Sequence, residues 1–172
     1  LTPINKLAWD NPKNTITTDT GCSNEYLDEV VEADGRHEGY PEISYSYDLK
    51  AGNLPGEFQE KYQDLSMELC TWLGARNEAV HVYYPINGFM SWHNNWNAPG
   101  YNILLSYTKN GGGFFKYRDP KTHEVIEMLD TPGWSCKVGY YGRGREPDKV
   151  YYHTAGTHEP RLTLGFVIPN LD

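Results

Sequence analysis

The residues that decide the fold are Val80–Arg118, which read VHVYYPINGFMSWHNNWNAPGYNILLSYTKNGGGFFKYR. The stretch opens with apolar side chains at every second position of Val80–Tyr84, which is the period of a strand with one buried face. A Pro-Ile-Asn-Gly turn follows, and two further β-rich segments, Tyr101–Tyr107 and Phe114–Arg118, lie on either side of three consecutive glycines. Turn signals then recur at short intervals with no helical period between them, so the sequence predicts an antiparallel sandwich or barrel.

The chain before Val80 predicts two helices and a strand. Ser23 is a suitable N-cap for a helix through Glu25–Glu32. Alternating apolar residues over Ile43–Leu49 predict a strand. Apolar residues spaced by three or four over Glu57–Leu73 predict an amphipathic helix that ends at Gly74, and we expect this helix to pack on one face of the sheet.

One methionine and three tryptophans are assigned to the core or to the rim of a cavity. Met67 and Trp72 lie on the amphipathic helix, and we expect both in the core. Trp92 and Trp96 lie on either side of His93, where Trp92 is expected in the core and Trp96 at the rim of a cavity.

Length and composition are those of one globular domain. The chain has 172 residues, of which 38% are hydrophobic and 14% are aromatic, so it can bury a core of ordinary size. We expect a single domain over residues 1–172, with a helix and strand region over about 1–79 and a β-core over about 80–168.

The charge pattern argues against nucleic acid as a partner. The formal net charge is −8 and no basic cluster occurs, so strong binding to bare nucleic acid is not expected.

No apolar run approaches the ~20 residues of a membrane span. Leu1–Pro12 lacks the basic-then-apolar plan of a signal peptide, and the cysteines are three, widely spaced and odd in number. These features predict a cytoplasmic protein with reduced thiols; the oligomeric state is not readable from the sequence.

Two histidines stand beside strand-like segments. His93 follows the turn after Tyr84, His153 lies 60 residues further along, and Arg161 begins the next strand eight residues beyond His153. We expect His93 and His153 to meet at one mouth of the barrel, with Arg161 deeper in the same cavity. His158 is a fallback metal ligand, and a zinc site from Cys136 and His153 is a further alternative.

The order of these motifs resembles the iron(II)- and 2-oxoglutarate-dependent oxygenases of the double-stranded β-helix fold, in particular their prolyl-hydroxylase-like branch. That branch has a Tyr, a Pro/Gly turn and an aromatic residue, then His-x-Asp, a Gly-Gly segment before an apolar strand, a Pro-Gly, and a second His followed by Arg-x-Ser/Thr. The matching segments, which span roughly residues 80–168, are Tyr84–Phe89, Trp92–Asn95, Gly111–Tyr117, Pro132-Gly133, His153 and Arg161–Thr163.

The resemblance implies a jelly-roll core with N-terminal helices packed on one sheet. It also implies an enzyme that hydroxylates a small molecule or a protein side chain while 2-oxoglutarate becomes succinate and carbon dioxide. Two histidines and a carboxylate would hold iron(II) on one face, and a buried Arg with a nearby hydroxyl would bind the far carboxylate of 2-oxoglutarate. The residues implied are His93, His153 and Asn95 for the metal, and Arg161, Thr163 and Tyr107 for 2-oxoglutarate.

One position departs from the family pattern. Asn95 stands where the His-x-Asp motif has its Asp, and a neutral amide oxygen is a poorer ligand for a hard divalent metal than a carboxylate. A second hypothesis therefore stays open, namely a non-catalytic relative on the same fold that binds a metal, a small acid or a protein partner. Arg161 and Thr163 favour the enzyme, whereas Asn95 favours the non-catalytic relative.

Overall fold

The structure is a computed structural model of the chain, and it describes residues 2–3, 15–33, 41, 43–50, 54–95, 98–142 and 146–169. Trp96, predicted at the rim of the cavity, lies outside these residues. None of the helices within the described ranges combines the length and apolar character that crossing a bilayer requires.

The described residues form two antiparallel sheets. One has the strand order β1-β3-β4-β11-β6-β9, and the other has the order β2-β5-β10-β7-β8. The strands are β1 Thr2–Pro3, β2 Ser44–Tyr45, β3 Tyr47–Asp48, β4 Asn77–Tyr84, β5 Phe89–His93, β6 Gly100–Thr108, β7 Gly113–Arg118, β8 Val125–Leu129, β9 Gly133–Tyr141, β10 His153–Thr157 and β11 Arg161–Ile168.

The eight strands from β4 to β11 form a double-stranded β-helix, or jelly roll. The strands β4-β11-β6-β9 lie in one sheet and face the strands β5-β10-β7-β8 of the other. Every pairing within this set is antiparallel. The predicted fold class is confirmed.

Both predicted helices are present. The helices are α1 Thr18–Gly21, α2 Asn24–Glu32 and α3 Gly56–Leu73, with a 3₁₀ turn at Pro147–Lys149. The Ser23 hydroxyl caps α2 by accepting the Tyr26 amide, as the sequence predicts. Gly74 ends α3 with a φ of 63°, a left-handed conformation that glycine adopts without a Cβ clash.

The strand predicted at Ile43–Leu49 is divided between the two sheets. Ser44–Tyr45 pairs with β5, whereas Tyr47–Asp48 pairs with β4 in the other sheet. Ser46, which is fully buried, lies at the crossing point. The alternating pattern is therefore correct, but it describes a chain that passes from one layer to the other.

Helix α3 is attached to the sheet through polar contacts. The Glu78 carboxylate of β4 accepts hydrogen bonds from the Tyr62 and Ser66 hydroxyls, at 2.6 Å for Ser66. Met67 and Trp72 point to solvent, with 63% and 78% of their surface exposed, so the prediction that they lie in the core is wrong. The helical period was read correctly, but the contact with β4 uses the strip that carries Tyr62 and Ser66 and leaves the apolar strip outside.

The core fills the space between the sheets and the space beneath α2. Trp92 is fully buried against Leu27 and Val30 of α2, as predicted, and its indole N–H donates to the Ser23 carbonyl at 2.8 Å. This contact fixes β5 immediately before His93. The packing residues between the two sheets are Val82, Tyr84, Met90, Leu104, Phe115, Tyr141 and Ala155.

Candidate metal and carboxylate site

A cavity of about 310 Å³ lies between the two sheets of the jelly roll. Its central walls are apolar, with Val82, Leu104 and Phe115 among the lining residues. Its polar lining comprises His93, Asn95, Asn102, His153, Arg161 and Thr163. The fold therefore brings five of the six predicted site residues to one cavity.

The histidines and Arg161 lie at opposite ends of this cavity. His153 pairs with Tyr117 across β10 and β7, whereas Thr157 at the far end of β10 pairs with Gly113. An added Cβ at Gly113 would lie 2.9 Å from Arg161 Cδ, so Arg161 belongs to the far end. Four residues along a strand separate the two ends by about 13 Å of backbone. We call them the His end and the Arg end.

At the His end the two imidazoles face each other on neighbouring strands. His93 of β5 and His153 of β10 are register partners, and their ring centroids are 4.2 Å apart. The Nδ1 of His93 contacts the Ser91 carbonyl at 2.8 Å, and the Nδ1 of His153 contacts the Tyr151 carbonyl at 2.9 Å. Because a carbonyl oxygen only accepts, each Nδ1 carries a proton, and the lone pair of the neutral form of each ring is on Nε2. This is the tautomer of a metal-binding histidine whose other ring nitrogen donates to a backbone carbonyl.

Burial keeps the His153 ring neutral. Desolvation lowers its pKa well below the ordinary value of 6.5, and the neighbouring His93 lowers it further. Phe115 and Tyr141 lie against the ring, with centroids at 5.8 and 4.8 Å. A neutral imidazole is the form that binds a metal, so this environment favours ligation at neutral pH.

The third candidate donor near the His end is an amide. Asn95 lines the cavity two residues after His93. Within the described ranges, no group of three or more His, Cys, Asp and Glu side chains is placed to hold a metal ion. The donor set of two imidazole nitrogens and one amide oxygen fits a divalent metal ion of borderline softness, and it adds no negative charge to the site.

At the Arg end Arg161 is buried and held on three sides. Its Nε donates to Asp130 Oδ2 at 2.7 Å, its Nη1 to the Thr163 hydroxyl at 2.7 Å, and its Nη2 to the Ser106 hydroxyl at 3.0 Å. Thr163 follows two residues after Arg161 on β11, so both side chains point to the same face of the strand. The guanidinium is therefore fixed with its Nη edge toward hydroxyl groups in the cavity wall.

The sequence analysis missed two charged groups at this end. Asp130 has no exposed side-chain surface, and its Oδ1 forms an ion pair with Lys137 Nζ, whose side chain is 6% exposed. Burial raises the pKa of Asp130, but the hydrogen bonds and charges of Arg161 and Lys137 together bring the pKa below its ordinary value. Strand alternation gave no signal for Lys137, because its inward face on β9 is shared with Ser135 and Gly139, whereas most apolar side chains of this strand lie on the exposed face.

Tyr107, predicted to bind the carboxylate with Arg161, lies outside the cavity. It is 41% exposed and packs against Trp134 on the outer face of the sheet, with ring centroids 5.4 Å apart. The alternation of β6 turns its neighbours Ser106 and Thr108 inward, and both are fully buried. The prediction was off by one position, because Ser106 supplies the hydroxyl beside Arg161.

The two alternative metal ligands also lie elsewhere. His158 is exposed and does not line the cavity; its ring is tilted against that of Phe114, with centroids 6.3 Å apart. Cys136 is exposed on the outer face of β9, so it cannot share a metal with the buried His153. The cavity histidines remain the candidate pair.

Comparison with known proteins adds the following. No family model matches the chain, and no curated protein matches it. Among solved structures, the chain is similar to a prolyl-4-hydroxylase from Pseudomonas putida, with a TM-score of 0.42 and 14% identity, covering 84% of this chain and 83% of that one. The functional argument below therefore rests on the site.

Proposed function

We propose that this chain is an iron(II)- and 2-oxoglutarate-dependent oxygenase that hydroxylates an organic substrate. The observation that supports this proposal is that the two ends of one cavity carry two different sets of polar side chains. Two Nδ1-protonated histidines form the His end, and a buried arginine with hydroxyl neighbours forms the Arg end. A ligand that chelates a metal at one end and carries a carboxylate at the other suits this arrangement.

His93 and His153 would hold the iron through Nε2. Their backbone acceptors fix the ring planes before the metal arrives, which lowers the entropic cost of binding. Bound there, iron would supply the activation of O₂ that hydroxylation requires. Asn95 would lie beside the metal as a neutral donor, so the site would carry one more unit of positive charge than a site with a carboxylate.

Arg161 would bind the far carboxylate of 2-oxoglutarate. Charge-assisted hydrogen bonds from a guanidinium are short and strong, and the Thr163 hydroxyl adds a neutral donor next to it. Val82, Leu104 and Phe115 supply an apolar surface for the methylene groups between the two ends. These walls also exclude water from the space between the ends, which strengthens the electrostatic contacts there.

A non-catalytic relative is the second candidate, and Asn95 is the observation that favours it. An amide beside two histidines binds a divalent metal more weakly than a carboxylate does. On this second proposal the cavity would bind a small acid through Arg161 without chemistry at the His end.

Anaerobic titration with iron(II) and 2-oxoglutarate separates the two candidates. The enzyme proposal predicts a visible charge-transfer band from chelated iron that is lost in His93→Ala and in His153→Ala. The matched control is His158→Ala, which removes an exposed histidine outside the cavity and should keep the band. No band in the native protein at saturating iron would overturn the enzyme proposal and leave the acid-binding one.

A further inference from the structure

The Arg end contains three buried charges where a carboxylate anchor requires one. The side chains of Asp130, Arg161 and Lys137 are 0%, 1% and 6% exposed, and we call them the buried charge triad. Arg161 and Lys137 each carry a positive charge, and Asp130 carries a negative one. The triad therefore has a net charge of +1.

Without Lys137 the anchor would be neutral. Asp130 Oδ2 takes the Arg161 Nε at 2.7 Å, and a fully buried Arg–Asp pair has no net charge to attract an acid. Lys137 Nζ binds the other oxygen of Asp130 and also lies 3.2 Å from the Ser135 hydroxyl. Lys137 thus balances the charge of Asp130, and the charge of Arg161 stays uncompensated.

Asp130 is held in place by more than its charge partners. Its amide donates to the Gly113 carbonyl of β7 at 2.8 Å, and its Oδ1 lies 3.3 Å from the Ser135 hydroxyl. The backbone of β7 passes so close that a Cβ at Gly113 would lie 2.3 Å from Asp130 Oδ2. Asp130 is therefore a rigid acceptor that orients the Arg161 Nε, which leaves the Nη edge directed toward Thr163 and Ser106.

The nearby carboxylate of Glu159 does not change the net charge of the buried charge triad. Glu159 lies two residues before Arg161, but its carboxylate accepts the Asn110 amide at 2.9 Å and the Gly112 amide at 2.8 Å. These contacts hold it in the loop before β7, on the solvent side of the triad.

We infer that Asp130 is a positioning residue for Arg161, and that Lys137 restores the +1 charge with which this end of the cavity binds the carboxylate of a straight-chain diacid. The inference rests on the proposed function only in taking Arg161 as a carboxylate anchor. It requires no metal, so it can be tested apart from the His end.

The test is binding of glutarate to the metal-free protein, measured by ligand-observed NMR and calorimetry. Charge arithmetic sets the expectation: the native triad is +1, Lys137→Met is 0, and Asp130→Asn with Lys137→Met is again +1. We expect Lys137→Met to weaken glutarate binding by roughly tenfold to a hundredfold, and the double variant to recover most of the loss. Lys121→Met, which removes the same charge from an exposed turn, is the matched control and should bind like the native protein.

Rescue by the double variant distinguishes a charge role from a purely structural one. If the triad only stabilised the fold, the variants would differ in their free energy of unfolding, but the folded fraction of each would bind glutarate with the native affinity. Far-ultraviolet circular dichroism and urea unfolding establish which variants are folded. If Lys137→Met does not fold, the double variant decides, and a folded double variant that fails to bind glutarate overturns the inference.

The outcome is separable from that of the iron titration. Native protein that binds glutarate but shows no iron band would contradict the oxygenase proposal and leave the triad inference intact. Native protein that shows the band but does not bind glutarate without metal, or a folded Lys137→Met that binds it like the native protein, would overturn the inference.

Discussion

The Arg end of the cavity is organised by buried ion pairs, whereas the His end is organised by backbone carbonyls. At the Arg end Asp130, Lys137 and two hydroxyls fix the guanidinium before any ligand is present. At the His end the carbonyls of Ser91 and Tyr151 orient the imidazoles. The Arg end holds a guanidinium charge in place before a ligand binds. The His end fixes the direction of the two imidazole lone pairs but provides no negative charge. The Arg end therefore has a fixed positive charge before any ligand binds, whereas the His end offers only neutral donor groups.

Removing Arg161 should have the largest effect on ligand binding. Arg161→Ala takes away the uncompensated cation, so 2-oxoglutarate binding should fall by more than about a hundredfold. The fold should survive, because Asp130 keeps Lys137 as its partner. Calorimetry with 2-oxoglutarate measures the loss, and Arg76→Ala, at an exposed position, is the control. Native-like affinity in folded Arg161→Ala would remove Arg161 from the site.

Crowding the triad through the backbone should disturb the Arg end and leave the His end unchanged. Gly113→Ala introduces a Cβ 2.3 Å from Asp130 Oδ2 and 2.9 Å from Arg161 Cδ. We expect a loss of about 1–3 kcal/mol in the free energy of unfolding, as overpacking of a dense core costs. Urea unfolding measures it, and Gly56→Ala, with no atom within 4 Å of the added Cβ, should be neutral or stabilising. Equal stability of Gly113→Ala and the native protein would show that the triad is loosely packed.

Adding a carboxylate should give the His end a charged group, as the Arg end already has, and should strengthen metal binding there. Asn95→Asp gives the metal an anionic third donor, and we expect iron(II) or manganese(II) affinity to rise by at least about tenfold. Metal binding is followed by calorimetry under anaerobic conditions. Asn77→Asp, an exposed substitution outside the cavity and beside Arg76, controls for the change in net charge. Unchanged affinity in Asn95→Asp would mean that residue 95 does not approach the metal.

Mild acid should destabilise the His end and spare the Arg end. The pKa of His153 is lowered in the folded protein, so the unfolded chain takes up a proton near pH 6.5 that the folded chain does not. Stability from this residue is thus present above about pH 6.5 and falls as the pH decreases toward the folded pKa, by up to about 1.4 kcal/mol per pH unit. The pKa of Asp130 is also lowered, but from the much lower value of 3.8, so it contributes no change between pH 7 and 5.5.

Urea unfolding of the metal-free protein at pH 7 and 5.5 measures this difference. His153→Asn, which keeps a polar side chain without titrating, should reduce the loss of stability, whereas His123→Asn in an exposed turn should not. A pH dependence that His153→Asn leaves intact would assign the effect to another group.

The fold was more predictable from the sequence than the surroundings of the cavity residues. Strand periodicity and turns predicted an antiparallel sandwich or barrel, the family resemblance narrowed this to a jelly roll, and His93, His153 and Arg161 line one cavity as predicted. Tyr107 was misassigned because strand period alone does not tell which alternate face is buried, and the choice of face fell on the wrong neighbour of Ser106. Asp130 and Lys137 were missed because a buried ion pair joins residues whose charges are, in sequence, indistinguishable from surface ones.

The exterior was the least predictable part. Met67 and Trp72 carry the apolar spacing of a buried helix face, yet both are exposed. The helix is attached instead through Tyr62 and Ser66 to the buried Glu78. Periodicity reports that one face of a helix is apolar, and only tertiary contacts show which face meets the sheet.

The central claim is that one ligand joins the two ends of the cavity. A crystal structure of the protein with manganese(II), which does not activate O₂ in place of iron, and 2-oxoglutarate tests it most directly. We expect one metal ion on the Nε2 atoms of His93 and His153, and a single 2-oxoglutarate that chelates it and places its far carboxylate within hydrogen-bond distance of Arg161 and Thr163. A metal bound without either histidine, or 2-oxoglutarate bound away from Arg161, would contradict it.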